Sequence, residues 1–300
     1  MAKQIVAEDL SAVKQLLQKV LGKSDYADIE RMGGLTNRTY KVGFSDGGRY
    51  VVRIPGEGTE ELIVRSDEKI STELACQLGI DARLLYFGND GAKVTEFIPE
   101  AVTMSAQTMR EQDSIKRAAA IFRTLHDSGE DTGVPFEVFD MAGGYEKIIR
   151  DNHVPMFEDY EEVKNTVMRI KAEVDGICRI RKVPCHNDAL CENWVMSGKE
   201  RMYLIDWEYA GMNDGIWDLA EVSIEACYER GHDEMFLAEY LGRKPVDADW
   251  KRFLANKIYV DYLWTLWAKT RVPYDGQPME DWASERYERL KGNIEEFAKM

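Results

Sequence analysis

The sequence predicts an α+β fold of two lobes, a small strand-rich one over residues 1–98 and a larger helical one over 99–300. Three observations carry this. Tyr40, Val42 and Phe44 alternate with other residues, Asp46-Gly47-Gly48 makes a turn, and Tyr50, Val52 and Ile54 alternate again, which is the pattern of a β-hairpin. Residues 83–87 and 93–98 read as two further strands around an Asn89-Asp90-Gly91 turn. Beyond Pro99 the apolar period lengthens to that of helices, which places the boundary near residues 98–103.

The elements follow in order. Leu10, Val13, Leu17, Val20 and Leu21 lie at helical spacing, so residues 8–22 form an amphipathic helix ahead of the hairpin. A polar helix spans 67–78, with Gly79 as its stop. Ile115, Ala118, Ala119, Phe122 and Leu125 share one face of a long helix, for which Ser105 is the candidate N-cap. Residues 158–178 form another helix, 194–206 a short β segment, and the chain reads helical from Trp217 onward. A lone histidine near a helix end, His126 is expected to be a hydrogen-bonded core residue.

Composition removes several classes of function. The 300 residues are 44% hydrophobic and 31% charged, a globular balance rather than a disordered one. The net charge of −15 opposes nucleic acid or an anionic membrane as partner, since both need a basic surface, and it suits a cationic ligand. The five cysteines are odd in number and form no CxxC, so neither a disulfide framework nor a zinc site is expected, and a reducing cytoplasm fits. There is no leader-like N-terminal pattern, and no apolar run approaches the roughly 18 residues a membrane span needs.

The strongest chemical signal is His186-Asn187-Asp188-Ala189-Leu190-Cys191-Glu192-Asn193, followed by Ile205-Asp206-Trp207-Glu208. Residues 194–196 and 202–205 read as the arms of a hairpin closed at 197–200, whose open ends carry Asn193 and Asp206. An amide oxygen and a carboxylate converging there suit Mg²⁺, a hard ion that prefers oxygen. Asp188 lies on the loop just before, within reach of an acceptor hydroxyl. A carboxylate that orients a hydroxyl beside a metal that neutralises phosphate charge is what phosphoryl transfer requires. Upstream, Gly33-Gly34-Leu35-Thr36-Asn37 precedes a strand, where backbone N–H groups can approach phosphate oxygens, although the segment also reads as a plain turn. Arg53, on the strand face opposite Tyr50, Val52 and Ile54, is either a phosphate-binding cation braced by Glu68 or a solvated edge residue.

These segments resemble the choline and ethanolamine kinases, in their bacterial phosphorylcholine-pathway form, within the aminoglycoside phosphotransferase-like superfamily. The resemblance rests on GGLTNRTYKV (33–42), YVVRIPGEGTE (50–60), TEFIP (95–99), HNDALCEN (186–193) and YLIDWEYAGMNDGIWDLA (203–220), and runs from about residue 30 to 290. It implies a protein-kinase-like fold of two lobes, the first binding nucleotide and the second carrying catalysis and the acceptor. It further implies ATP and Mg²⁺ as cofactors, Asp188 as catalytic base, and Asn193 and Asp206 as metal ligands. Gly34, Thr36, Asn37, Arg53 and Glu68 fall to the nucleotide, as do Glu96 and Ile98 in a hinge whose backbone meets adenine. Arginine stands at 53 where lysine is common.

The implied acceptor is choline, a permanent cation without N–H donors, which a site must hold with aromatic faces and carboxylates. Trp264 and Trp267 lie at i and i+3 of a helix, and Glu225 and Tyr228 form a second such pair. On the residues alone these aromatics fit a helix-packing core as well; the resemblance places Tyr209, Glu225, Trp264, Trp267 and Trp282 around the ammonium group. Alternatives are a kinase of the same fold acting on ethanolamine, thiamine or an amino sugar, a nucleotide-binding pseudokinase, and a metal-dependent hydrolase using His186, Asp188 and Asp206. No nucleic acid or membrane partner is expected, and the sequence leaves the oligomeric state open.

Overall fold

The computed structural model describes residues 7–32, 37–56, 63–177 and 179–300. In chain order these form α1 (Ala7–Leu21), β1 (Asp28–Arg31), β2 (Asn37–Gly43), β3 (Arg49–Pro55), α2 (Arg65–Gln77), β4 (Leu84–Phe87), β5 (Lys93–Glu96) and β6 (Ala101–Thr103). They continue as α3 (Ala106–Met109), α4 (Gln112–His126), α5 (Val138–Asp151), α6 (Tyr160–Ile177), β7 (Lys182–Cys185), β8 (Trp194–Ser197), β9 (Arg201–Leu204) and β10 (Gly211–Asp214). Four helices follow: α7 (Gly215–Glu225), α8 (Arg230–Leu241), α9 (Asp247–Asp275) and α10 (Gln277–Phe297). The chain gathers into two compact units, Met1–Met104 with Glu192–Ala210, and Ser105–Cys191 with Gly211–Met300.

In the first unit five antiparallel strands run in the order β1-β2-β3-β5-β4. The expected hairpin is β2–β3, with Tyr40 opposite Val52 and Val42 opposite Tyr50. Its inward side chains meet Val13 and Leu17 of α1 in a cluster completed by Phe44 and Val94. Each such aliphatic side chain contributes about 1.5–3 kcal/mol when fully buried. β3 is covered on both faces: Val52 joins that cluster, while the adjacent Arg53 is also buried, turned toward α2. Arg53 is therefore not a solvated edge residue, because α2 lies over its face of the strand.

A second sheet of the same unit has the order β6-β8-β9. Here β8 and β9 form the hairpin expected at 194–206, turning through Gly198 at φ 58°. Residues 101–103, expected to lie in the helical lobe, instead pair with β8 as a strand. This pairing draws Glu192–Ala210 into the first unit, so the division differs from a single cut near residue 98.

The second unit is built on α9. Its residues from Phe253 to Leu266 are buried on nearly every side, polar Asn256, Asp261 and Thr265 included. It packs against α5, α6, α7 and α10. Two elements differ from expectation. Ser105 caps only the short α3, its Oγ accepting from the Thr108 N–H at 3.3 Å. The helix ends in tighter turns, the Arg110 and Glu111 N–H groups donating to the Gln107 and Thr108 carbonyls at 3.3 and 3.2 Å, and the Met109 carbonyl accepts from the Tyr228 hydroxyl at 2.7 Å. α5 went unread because Gly143 and Gly144 interrupt its period. No helix among the described residues is long and apolar enough to cross a membrane.

Candidate active site

In the first unit the site grows around Arg53. Its Nη1 lies 2.5 Å from Glu68 Oε1, 3.4 Å from Glu208 Oε1 and 3.8 Å from Asp206 Oδ1. The other arm of the guanidinium donates to the Gly91 carbonyl at 2.8 Å. Arg65, which sequence reasoning did not single out, places Nη1 at 2.7 Å from Glu68 Oε2 and 2.6 Å from Glu208 Oε1. Two arginines thus share two glutamates, and the turn at Gly91 makes room for them. A Cβ there would meet the Arg65 side chain at 2.6 Å, and the residue holds φ 87°. Asn37 Nδ2 donates to Glu208 Oε1 at 2.8 Å, tying the start of β2 to the same carboxylate.

Glu208 is the second residue missed from the sequence. The signal was the Asp206-Trp207-Glu208 spacing, which puts two acids on one short turn. Burial works to raise its carboxyl, but Arg53, the Asn37 amide and Arg65 outweigh it and hold it below the ordinary range. Asp206 moves the other way. Burial, then the Glu208 charge, push it up to about 6, while Lys93 and Arg53 pull against them. Glu68, Asp206 and Glu208 bring their oxygens within 4.8 Å of one another.

Asn193 and Asp206 stand at the open end of the β8–β9 hairpin, where the Ile205 N–H donates to the Asn193 carbonyl at 2.9 Å. Asn193 is buried, and Asp206 adopts φ 70°, a left-handed conformation that Asp tolerates and that is common at functional turns. The carboxylate oxygens of Glu68, Asp206 and Glu208 gathered here, with no sulfur or imidazole among them, fit Mg²⁺. Gly34 and Thr36 lie outside the described residues. Glu96 pairs with Arg83 at 2.9 Å. Ile98 joins Ala82 and Val195 in a small apolar cluster flanked by Tyr203 and Ile205.

In the second unit the loop bearing Asp188 hangs from α7. The backbone N–H groups of His186 and Asn187 donate to the two oxygens of Asp218 at 2.9 and 2.8 Å. The Ala189 N–H donates to Glu221 Oε2 at 3.0 Å. Asp218 and Glu221 are both fully buried and stand at i and i+3, so one face of one helix receives three loop donors, those on either side of Asp188 included. Asn187 holds φ 65°, its side chain accepts from Asn213 at 2.9 Å, and its carbonyl accepts from the Trp217 indole at 3.2 Å. His126, core as expected, sits between Asp218 at 3.0 Å and the Tyr240 hydroxyl at 2.9 Å. Asp188 itself is half-buried. The Tyr145 hydroxyl is pushed up by burial and then by the Asp188 charge, which puts α5 within electrostatic reach of that carboxylate.

The structure brings three of the five expected acceptor residues together. Trp264 and Trp267 meet edge to face at 6.1 Å between centroids, and Trp267 and Trp282 at 5.9 Å. Glu225 is ion-paired with Arg286, whose guanidinium lies 4.1 Å over the Trp282 ring and 3.2 Å from Asp261. Tyr209 belongs to the first unit and is half-buried there. Glu221, not foreseen from the sequence, accepts from the Trp264 indole at 2.8 Å.

The sequence profile of choline/ethanolamine kinase matches residues 29–262. This chain belongs to the choline/ethanolamine kinase family. As a member it is a phosphotransferase. A choline/ethanolamine kinase family protein from Mesorhizobium loti is 31% identical, with a TM-score of 0.84 over 96% of each chain. Choline kinase LicA from Streptococcus pneumoniae is 30% identical, with a TM-score of 0.83 over 97% of this chain and 100% of that one. Protein LicA of Haemophilus influenzae is 25% identical over 286 residues, 89% of this chain and 79% of the relative. The kinase-like fold implied by the sequence is thus the fold this family member adopts.

Proposed function

We propose that this family member transfers the γ-phosphate of ATP to the hydroxyl of choline, with Asp188 as base and Mg²⁺ held by Asn193 and Asp206. The observation that carries the reading is the double role of Glu221. One buried carboxylate accepts from Trp264, the first ring of the aromatic row, and from the Ala189 N–H beside Asp188. An aromatic surface suited to a cation and a carboxylate suited to a hydroxyl are joined in one hydrogen-bonded assembly.

The roles divide as follows. Asp188 accepts the proton of the acceptor hydroxyl, and the Asp218 and Glu221 bonds fix the loop that presents it. Arg53 meets phosphate oxygens, positioned by Glu68 and relieved of full neutralisation by the sharing of Glu68 and Glu208 with Arg65. The apolar cluster of Ala82, Ile98 and Val195 offers a surface to adenine. Mg²⁺, when bound, supplies positive charge against the phosphate oxygens. The tryptophan row supplies π faces to the quaternary ammonium, each good contact contributing roughly 0.5–2 kcal/mol.

Choline is favoured over ethanolamine by hydration. A primary ammonium sheds a strong shell and needs several acceptors, and leaving its N–H groups unpaired costs about 1–3 kcal/mol. Glu225 is already engaged by Arg286, which reduces what the row can offer such donors. A coupled assay over choline, ethanolamine, thiamine and an amino sugar tests this. We expect choline to exceed ethanolamine by roughly 10- to 100-fold in kcat/KM, at tenfold per 1.4 kcal/mol. Equal turnover of the two would remove the choline assignment and leave the kinase.

A further inference from the structure

Glu221 is completely buried, and among the described residues it has no cationic partner. Its carboxyl is pushed well up, first by burial and then by the charges of Asp188 and Glu225, with Asp218 adding to them. A buried acid facing three other acids is costly to keep. What it does with its two oxygens is specific. Oε2 accepts from the Ala189 N–H at 3.0 Å and Oε1 from the Trp264 indole at 2.8 Å. Both partners are donors without acceptor character, so the side chain must present two acceptors. A carboxylate does so. A glutamine offers one oxygen and turns its NH₂ against the remaining N–H.

We infer that Glu221 is a positioning residue that sets the acceptor-side tryptophan and the catalytic base loop in one mutual register, so that acceptor binding and base placement depend on each other. This rests on the reading of Asp188 as base and Trp264 as part of the acceptor site. Displacing Trp264 moves Glu221, and with it the Ala189 amide next to Asp188. A tryptophan that served only to contact the cation would affect affinity alone.

The test is a mutant cycle on the full chain, reading kcat, KM for the amino alcohol, KM for ATP and the thermal midpoint. Glu221→Gln is expected to lower kcat/KM roughly 10- to 100-fold, with part of the loss in kcat and KM for ATP little changed, because a buried N–H loses its acceptor. Trp264→Phe keeps a ring and removes the donor, and is expected to lower kcat as well as raise KM for choline. In the double variant the single glutamine oxygen has only Ala189 to serve, so kcat should recover to the level of Trp264→Phe. Additive losses in the double variant would overturn the inference. So would wild-type kinetics in Glu221→Gln with only a lowered thermal midpoint. If Glu221→Gln does not fold, Trp264→Phe still decides, since a change in KM alone contradicts the coupling. Wild-type turnover is measured first: if another amino alcohol is the substrate, the choline reading fails and the cycle is read on that compound. If none is phosphorylated, the base reading fails and the inference falls with it.

Discussion

Asp81 carries a buried carboxyl whose Oδ1 accepts from the Ala82 N–H at 2.5 Å. Burial pushes it up to about 6, with Lys93 pulling against the rise. The folded pKa thus lies above the ordinary value of 3.8, so the folded state holds the proton more tightly. That stabilisation is complete below the unfolded pKa and is lost as pH rises through about 6. Asp81→Asn keeps an oxygen for Ala82 and carries no charge. Its thermal midpoint relative to wild type should therefore be higher at pH 7 than at about pH 4, following the unfolded carboxylate value. An offset that does not change between those two conditions would contradict this origin of the cost. Glu208 shows the opposite balance, since two guanidiniums and an amide outweigh its burial. The difference lies in the partners within hydrogen-bond reach, which a sequence does not display.

Among the elements, what was legible followed strong periods. The β2–β3 hairpin, α1 and the β8–β9 hairpin each announce themselves by alternation or helical spacing around glycine-bearing turns. β1 was missed because Asp28-Ile29-Glu30-Arg31 is short, charged and only half-buried, a strand made by pairing with β2 rather than by its own propensity. β6 likewise exists because β8 offers an open edge. Of the candidate site, the acids of the 186–206 segment stood out by spacing, and Arg65, Asp218 and Glu221 did not. Those three lie on helices, where a charged residue ordinarily reads as a solvated face, and only burial shows otherwise. The hairpin end supports a prediction of its own. Asp206→Ala removes the carboxylate from the oxygen cluster with Glu68 and Glu208 while leaving the Ile205–Asn193 backbone bond intact. On the proposed assignment it should abolish transfer and weaken binding of Mg·ATP together, because it removes a residue that would hold the ion whose positive charge would act against the phosphate oxygens. Calorimetry that found Mg·ATP bound at wild-type affinity would remove Asp206 from the metal site.

At the scale of the molecule the proposed site residues are divided between two compact units. One carries the arginine–glutamate assembly and the hairpin with Asn193 and Asp206; the other carries Asp188, its α7 supports and the tryptophan row. The net charge of −15 suits a small cationic acceptor rather than a polyanion. On the proposed reading nucleotide and acceptor fall to separate units, and Asp188→Asn tests them apart most cleanly. The substitution keeps the size of the side chain and leaves the Asp218 and Glu221 bonds to backbone in place. Steady-state turnover of choline should fall roughly 10²-fold or more, the scale of losing a general base, with the dissociation constant of Mg·ATP unchanged. Turnover near the wild-type value in Asp188→Asn would contradict the assignment of the base, and with it the proposed route of phosphoryl transfer.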